Sequence, residues 1–266
     1  MKPNTRRAAT PAVLMALILV APAASAEPPT DNPEHPAFPH PMKDDTLPDP
    51  TVSGSGPTVN VWPNHGVRFA PGQRFDIRVE GTGTGPVYNF SASLKINGTP
   101  QAFTSGSGDS VATDGISTAG WGGFNLRGYS LDHDGIYTME ATFTSSQGTK
   151  IITQSIVIEK LANVGTAKVK NIIFLLGDGM SISHRTAARV VRYGVQAGTP
   201  KGWLAMDKFP TQGMVSTFSL NSYVTDSAPG MSGYTTGSHH NNNQEGVFPA
   251  QVTNKFFQPR VEYIAE

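Results

Sequence analysis

A change of hydrophobic period within one chain limits what that chain can fold into. Across 58–160 apolar residues alternate with polar ones, as in Phe75, Ile77 and Val79 and again in Tyr137, Met139, Ala141 and Phe143. Alternation at period two puts one face of a strand in a core and the other in water. At 172–176 the run Ile172-Ile173-Phe174-Leu175-Leu176 does not alternate, which suits a strand buried on both faces of a parallel sheet. The chain therefore has to carry two architectures, an antiparallel β domain and then the start of an α/β layer.

The β domain is expected over 58–160, with strands at 58–62, 74–80, 88–96, 123–129, 136–144 and 150–158, separated by Gly, Asn, Asp and Ser. Six or seven short strands in about 100 residues suit an immunoglobulin-like sandwich. Asp134-Gly135-Ile136-Tyr137 looks like the corner at which a Tyr hydroxyl ties back to the backbone in such domains. An ordinary turn before a strand remains an open alternative. No acids, histidines or basic stripe converge here, so the domain reads as a spacer or docking module. Asn97-Gly98-Thr99 fits a glycosylation acceptor, a three-residue match of low specificity.

The preceding sequence reads as export machinery and spacer. Lys2, Arg6 and Arg7, an apolar stretch from 13 to 21 and Ala24-Ser25-Ala26 have the order of a cleaved signal peptide over 1–26. An apolar stretch this short, containing Pro22, falls below the roughly 20 residues of a spanning helix. The expected location is periplasmic or secreted, with Sec and twin-arginine routes both open. Cleavage would leave 17 basic against 20 acidic residues, a balance that gives no general attraction to nucleic acid or anionic membrane. Residues 27–57 hold nine prolines and six acids, too little apolar surface to fold alone; His35 and His40 among them read as solvated spacer residues. The chain has no cysteine, which excludes disulfides, thiolate metal sites and cysteine nucleophiles. Any metal must sit on oxygen or imidazole.

After a small-residue linker, 161–168, the α/β part runs from 169 to 266. Gly177-Asp178-Gly179-Met180 follows the apolar run, placing Asp178 at the carboxyl end of the expected strand, the edge where open α/β sheets bind ligands. Ser181 or Ser183 can cap a helix whose Ala187, Val190, Val191, Gly194 and Val195 form one apolar face to pack on the sheet. A second strand is expected at 213–219. A second helix, starting at Ser227 and followed by Ala228, Gly230, Ser232 and Gly233, can press close to a sheet and aim its positive end at an anion. Ser227 there is either a helix cap or a nucleophile that needs a base or a metal. His239 and His240, next to Asn241-Asn242-Asn243, read as a solvated loop, and His184 as a polar residue of the first helix.

The segments NIIFLLGDGMSISHRTAA (171–188) and VTDSAPGMSGYTTG (224–237) resemble, in order and about 50 residues apart, two motifs of the alkaline phosphatase family, over about 171–246. The resemblance implies that Asp178 bridges one zinc and the magnesium. It implies that Ser227 binds that zinc, attacks phosphorus and becomes a phosphoserine, and that Asp226 orients a substrate-binding arginine. Two zinc ions and one magnesium are the expected cofactors and phosphate monoesters the expected substrates. No nucleic acid partner is expected, nor a membrane partner after signal cleavage. A homodimer is compatible with the sequence but not readable from it.

Two positions depart from the family pattern: Pro229 removes an amide donor from the first helical turn, and Ser181 stands where Gly is common. The family's remaining zinc and magnesium ligands and its phosphate-clamping arginine have no match before Glu266. The chain is therefore expected to be the amino-terminal portion of a longer phosphatase domain, with little or no activity of its own. The alternatives are a phosphodiesterase or sulfatase of the same superfamily, or a non-enzymatic exported binding module that uses the β domain.

Overall fold

The computed structural model describes residues 47–83, 89–111, 120–160, 172–213, 215–250 and 254–264. The expected signal peptide, the linker and the spacer up to residue 46 lie outside them. The described residues form two compact units, one of 172–217 and one of 47–160 with 218–264.

Ten strands make up the β part: β1 (Thr51–Gly54), β2 (Thr58–Trp62), β3 (Arg68–Phe69), β4 (Phe75–Thr82), β5 (Ser91–Ile96), β6 (Thr99–Gln101), β7 (Asp109–Val111), β8 (Trp121–Tyr129), β9 (Gly135–Ser145) and β10 (Gly148–Ile158). They form a six-stranded sheet ordered β1-β10-β9-β5-β6, with β3 also on β10, and a four-stranded sheet ordered β2-β4-β8-β7. Every pairing is antiparallel except the two-residue one between β10 and β3. β9 and β10 are a long hairpin with Ser145 opposite Gly148, so a two-residue turn fixes its register.

Both sheets turn their alternate apolar residues into one core. Val59, Val61, Phe75, Ile77 and Val79 come from the four-stranded sheet, and Leu94, Ile96, Met139, Ala141, Phe143, Ile152 and Ile156 from the six-stranded sheet. Phe124 of β8 lies edge-on to Phe143 of β9 with ring centroids 6.4 Å apart. The Tyr137 hydroxyl donates to the His133 carbonyl at 3.1 Å, the tie to the backbone expected of that corner.

Three expectations change. Pairing begins at Thr51, inside the stretch read as spacer, because β1 completes the edge of β10. β4 has no wet face: Asp76, Arg78 and Glu80 are as buried as the apolar residues between them. Phe248 and Val261, far outside 58–160, belong to the same core. The β part and 218–264 are one unit.

The unit of 172–217 differs more. Residues 172–176 form no strand, and all five apolar side chains are exposed. No strand is found among the described residues of 213–219 either, and the expected parallel sheet is absent from the described residues. The physical reason is that an extended run becomes a strand only when neighbours satisfy its backbone hydrogen bonds. Helix α1 (Ile182–Tyr193) starts from Ser181 as expected, with His184 Nδ1 accepting from the Ser181 amide. It buries no residue, and Val191 is 87% exposed, so the apolar face expected to pack on a sheet is open. The opposite face holds it, because Arg185 and Arg189 both reach Asp207 in the 3-10 turn Ala205–Lys208.

Candidate active site

Helix α2 (Ser227–Thr236) is set by its ends. Asp226 is the N-cap, in extended conformation, and its Oδ1 accepts from the Ala228 amide at 2.9 Å. Gly237 closes the helix in the left-handed conformation, its amide bonded to the Gly233 carbonyl, a cap that Gly provides without strain. Ser227 is thus the first helical residue rather than the cap, and its side chain is exposed. Pro229 lies in the first turn, where amides have no intrahelical partner and a ring is tolerated. The Ala228 amide is bound by the cap and Pro229 has none, so neither is an amide donor for an anion at this helix start.

A loop wraps this helix start. Asp226 Oδ2 accepts from the Asn243 amide at 2.7 Å, and Asn243 adopts a positive φ of 61°. The buried Thr225 hydroxyl donates to Asn242 Oδ1 at 3.2 Å, and the Asn242 amide donates to Asn221 Oδ1 at 2.9 Å. Both carboxylate oxygens of Asp226 are therefore engaged by backbone amides, which orients the carboxylate beside Ser227. The small residues of α2 allow close packing: Ser232 is fully buried, and its hydroxyl accepts from the Gly246 amide at 2.8 Å.

His240 corrects the reading of a solvated loop. It is fully buried, with Nδ1 on the Val247 carbonyl at 2.5 Å and its ring 5.5 Å from that of Phe248. Burial pushes its pKa down to about 4, the Val247 carbonyl opposing and His239 adding to the shift, so it is a neutral imidazole near pH 7. His239 is half-buried and stacks on Phe218 at 4.7 Å. The signal for burial was the Val247-Phe248 pair that follows the polar run, which supplies the apolar cover.

Asp178 lies in the other unit, exposed, in a turn closed by the Met180 amide on the Gly177 carbonyl at 3.2 Å, with Gly179 at a φ of 65°. In the same unit Asp207, which the sequence did not single out, accepts from Arg189 and Arg185 and from the Leu204 amide. The Arg189 hydrogen bonds are the main reason its carboxyl is held far below the usual range, with Arg185 and Leu204 adding to them against the opposing effect of burial. The Arg189 guanidinium also lies 5.7 Å from the centre of the Trp203 ring. Among the described residues no three His, Asp or Glu side chains converge as a metal ion requires. The described residues alone do not fit two zinc ions and a magnesium.

Residues 169–259 match the family model described as alkaline phosphatase. This segment is similar to the alkaline phosphatase family. Among its relatives are an alkaline phosphatase of Gadus morhua, 38% identical over 94 residues that make up 35% of this chain and 20% of the relative. The tissue-nonspecific isozyme of Rattus norvegicus is 39% identical over 92 residues, 34% of this chain and 18% of the relative. The corresponding isozyme of Homo sapiens is 36% identical over 92 residues, with the same shares. The chain thus spans about one fifth of the length of the curated relatives it matches. The family segment includes Asp178, Asp226 and Ser227 and runs past the stretch legible from motifs alone. No helix among the described residues is long and apolar enough to cross a membrane.

Proposed function

We propose that the chain carries the nucleophile-bearing part of an exported alkaline phosphatase, with Ser227 as the residue that attacks phosphorus. The carrying observation is the helix start at 225–228, inside the family segment, where an exposed Ser227 stands on the first helical position beside a carboxylate fixed by two backbone amides. The positive helix end favours a bound phosphate monoester. Attack by Ser227 Oγ forms the bond to phosphorus as the alcohol leaves with its oxygen. Water then cleaves the phosphoserine, returning the proton to Ser227 and releasing phosphate. A serine hydroxyl needs a base or a Lewis acid for this. His240 is not that base: it is fully buried, with Nδ1 on the Val247 carbonyl and Nε2 3.5 Å from the Thr236 hydroxyl, at the opposite end of the helix from Ser227.

Asp178 is the chain's candidate metal ligand, and zinc and magnesium are the ions the reading requires. Asp226 is a positioning residue, its carboxylate the candidate seat for a substrate-binding arginine. The two-sheet part is read as an immunoglobulin-like module, on the support of its paired antiparallel sheets and the Tyr137 tie. Because the described residues lack a converging ligand set, turnover by this chain alone is expected to be at background. The test is hydrolysis of p-nitrophenyl phosphate by the purified chain with added zinc and magnesium, beside Ser227→Ala. Turnover lost in Ser227→Ala overturns the expectation of inactivity and supports the nucleophile. Turnover retained in Ser227→Ala overturns the nucleophile assignment.

A further inference from the structure

The polar face of β4 and β8 is buried by main chain. Arg127 donates through Nη1 to Asp76 Oδ2 at 2.6 Å and to the Gln258 carbonyl at 2.7 Å, and through Nη2 to the Phe256 carbonyl at 2.8 Å. Asn125 Nδ2 and Arg78 Nη1 both donate to the Phe257 carbonyl, at 3.1 and 3.4 Å. Asp76 Oδ2 accepts from the Arg260 amide at 3.0 Å. Three successive carbonyls and one amide are bound, while the Phe256 side chain is 77% exposed. What is recognised is main chain, the 3-10 turn Lys255–Phe257 and the residues that follow it, rather than particular side chains.

The segment then pairs with the start of β4. The Asp76 amide donates to the Arg260 carbonyl at 2.8 Å and the Glu262 amide to the Arg74 carbonyl at 2.9 Å. The Arg74 guanidinium adds an ion pair to Glu262 at 2.7 Å. From here the contacts reach helix α2: Gln73 Nε2 donates to the Thr236 carbonyl at 2.9 Å and to the Glu262 carbonyl at 3.3 Å, and the Ile264 amide donates to the Thr235 carbonyl at 2.7 Å. Thr235 and Thr236 are the last turn of the helix that begins at Ser227.

We propose that this polar sheet face is a docking cleft for a main-chain segment, 256–262 of the same molecule, through which the β domain sets the position of the helix bearing Ser227. The charge arrangement supports a binding cleft over a core feature. Arg78, Glu80 and Asn125 are fully buried, and Arg78 Nη2, Asp109 Oδ2 and Asn125 Oδ1 have no hydrogen-bond partner among the described residues. Buried charges with unsatisfied atoms cost stability that apolar side chains of the same volume would not. Here Arg78 and Asn125 hold the Phe257 carbonyl. Gln73, Arg74, Asp76 and Arg127 are positioning residues. The docking does not depend on the phosphatase reading, and its test reads structure rather than turnover.

The experiment is hydrogen exchange by mass spectrometry on the full chain, following 227–236, 254–264, and 137–143 with 151–158 as the internal reference. In Arg127→Ala, exchange of 254–264 and of 227–236 is expected to speed up by about tenfold or more, as fits the loss of charged hydrogen bonds, with 137–143 and 151–158 unchanged. Acceleration of 254–264 with 227–236 at the wild-type rate would overturn the coupling to the helix. No acceleration at either would overturn the cleft. If Arg127→Ala loses protection everywhere, the exposed pair decides. Glu262 accepts from both the Arg74 amide and its guanidinium, so Arg74→Glu should loosen 227–236 while Arg74→Lys, which keeps the charge, should loosen it less; 227–236 at the wild-type rate in Arg74→Glu would overturn the proposal.

Discussion

His240 and Arg78 are buried polar residues whose neighbours decide what they cost. The folded-state pKa of His240, about 4, lies below its ordinary value of 6.5, so the unfolded chain takes up its proton first as pH falls. The stability linked to this residue is present above pH 6.5 and is lost progressively as the pH drops toward 4. The loss amounts to on the order of 3 kcal/mol. Urea unfolding of the wild type across this range should show it, and His240→Gln should flatten that part of the dependence. Arg78 has room only because residue 123 is glycine: a Cβ there would lie 2.0 Å from Arg78 Nη2. Gly123→Ala should pull the guanidinium from Glu80 and Asp109. The expected cost, read from the urea midpoint, is about 3 kcal/mol, the price of breaking a buried charge pair.

At the scale of the element, α2 was legible and the apolar run was not. Its start at Ser227 was read from the small residues behind it, and the structure adds Asp226 as its cap and Gly237 as its end. What the sequence could not give was the second task of Asp226, because Asn243 approaches through a loop. Asp226→Ala loses both amide bonds and should cost about 1–2 kcal/mol in urea unfolding. Asp226→Asn keeps an oxygen for Ala228 and should cost less, and Ser227→Ala, at an exposed first-turn position, should be near neutral. That separation lets chemistry at Ser227 be tested without loss of fold. The run 172–176 has the composition of a strand buried on both faces, yet it stands exposed and outside any strand. Local pattern states what a segment could bury; a ladder also needs partners. Helix α1 makes the same point, since Asp207, unmarked in the sequence, binds its arginine face.

In the whole molecule, the periodicity located the β domain but misplaced its limits. Phe248 and Val261 sit in its core, and β4 is covered on its polar side by 256–260. Phe248→Ala should therefore destabilise the β sheets, by about 3 kcal/mol or more, when followed by exchange protection of β9 and β10. A β domain independent of 218–264 would show no change there. By itself the sequence determined the strands β2, β4, β5, β8, β9 and β10 to within a few residues, the two helices and the family motifs, because alternation, capping residues and short motifs are local. Only the tertiary structure decided that β4 is buried on both faces, that His240 is core and that 218–264 folds with the β domain. Burial of a polar residue depends on what covers it, and β4 takes its cover from more than 100 residues away.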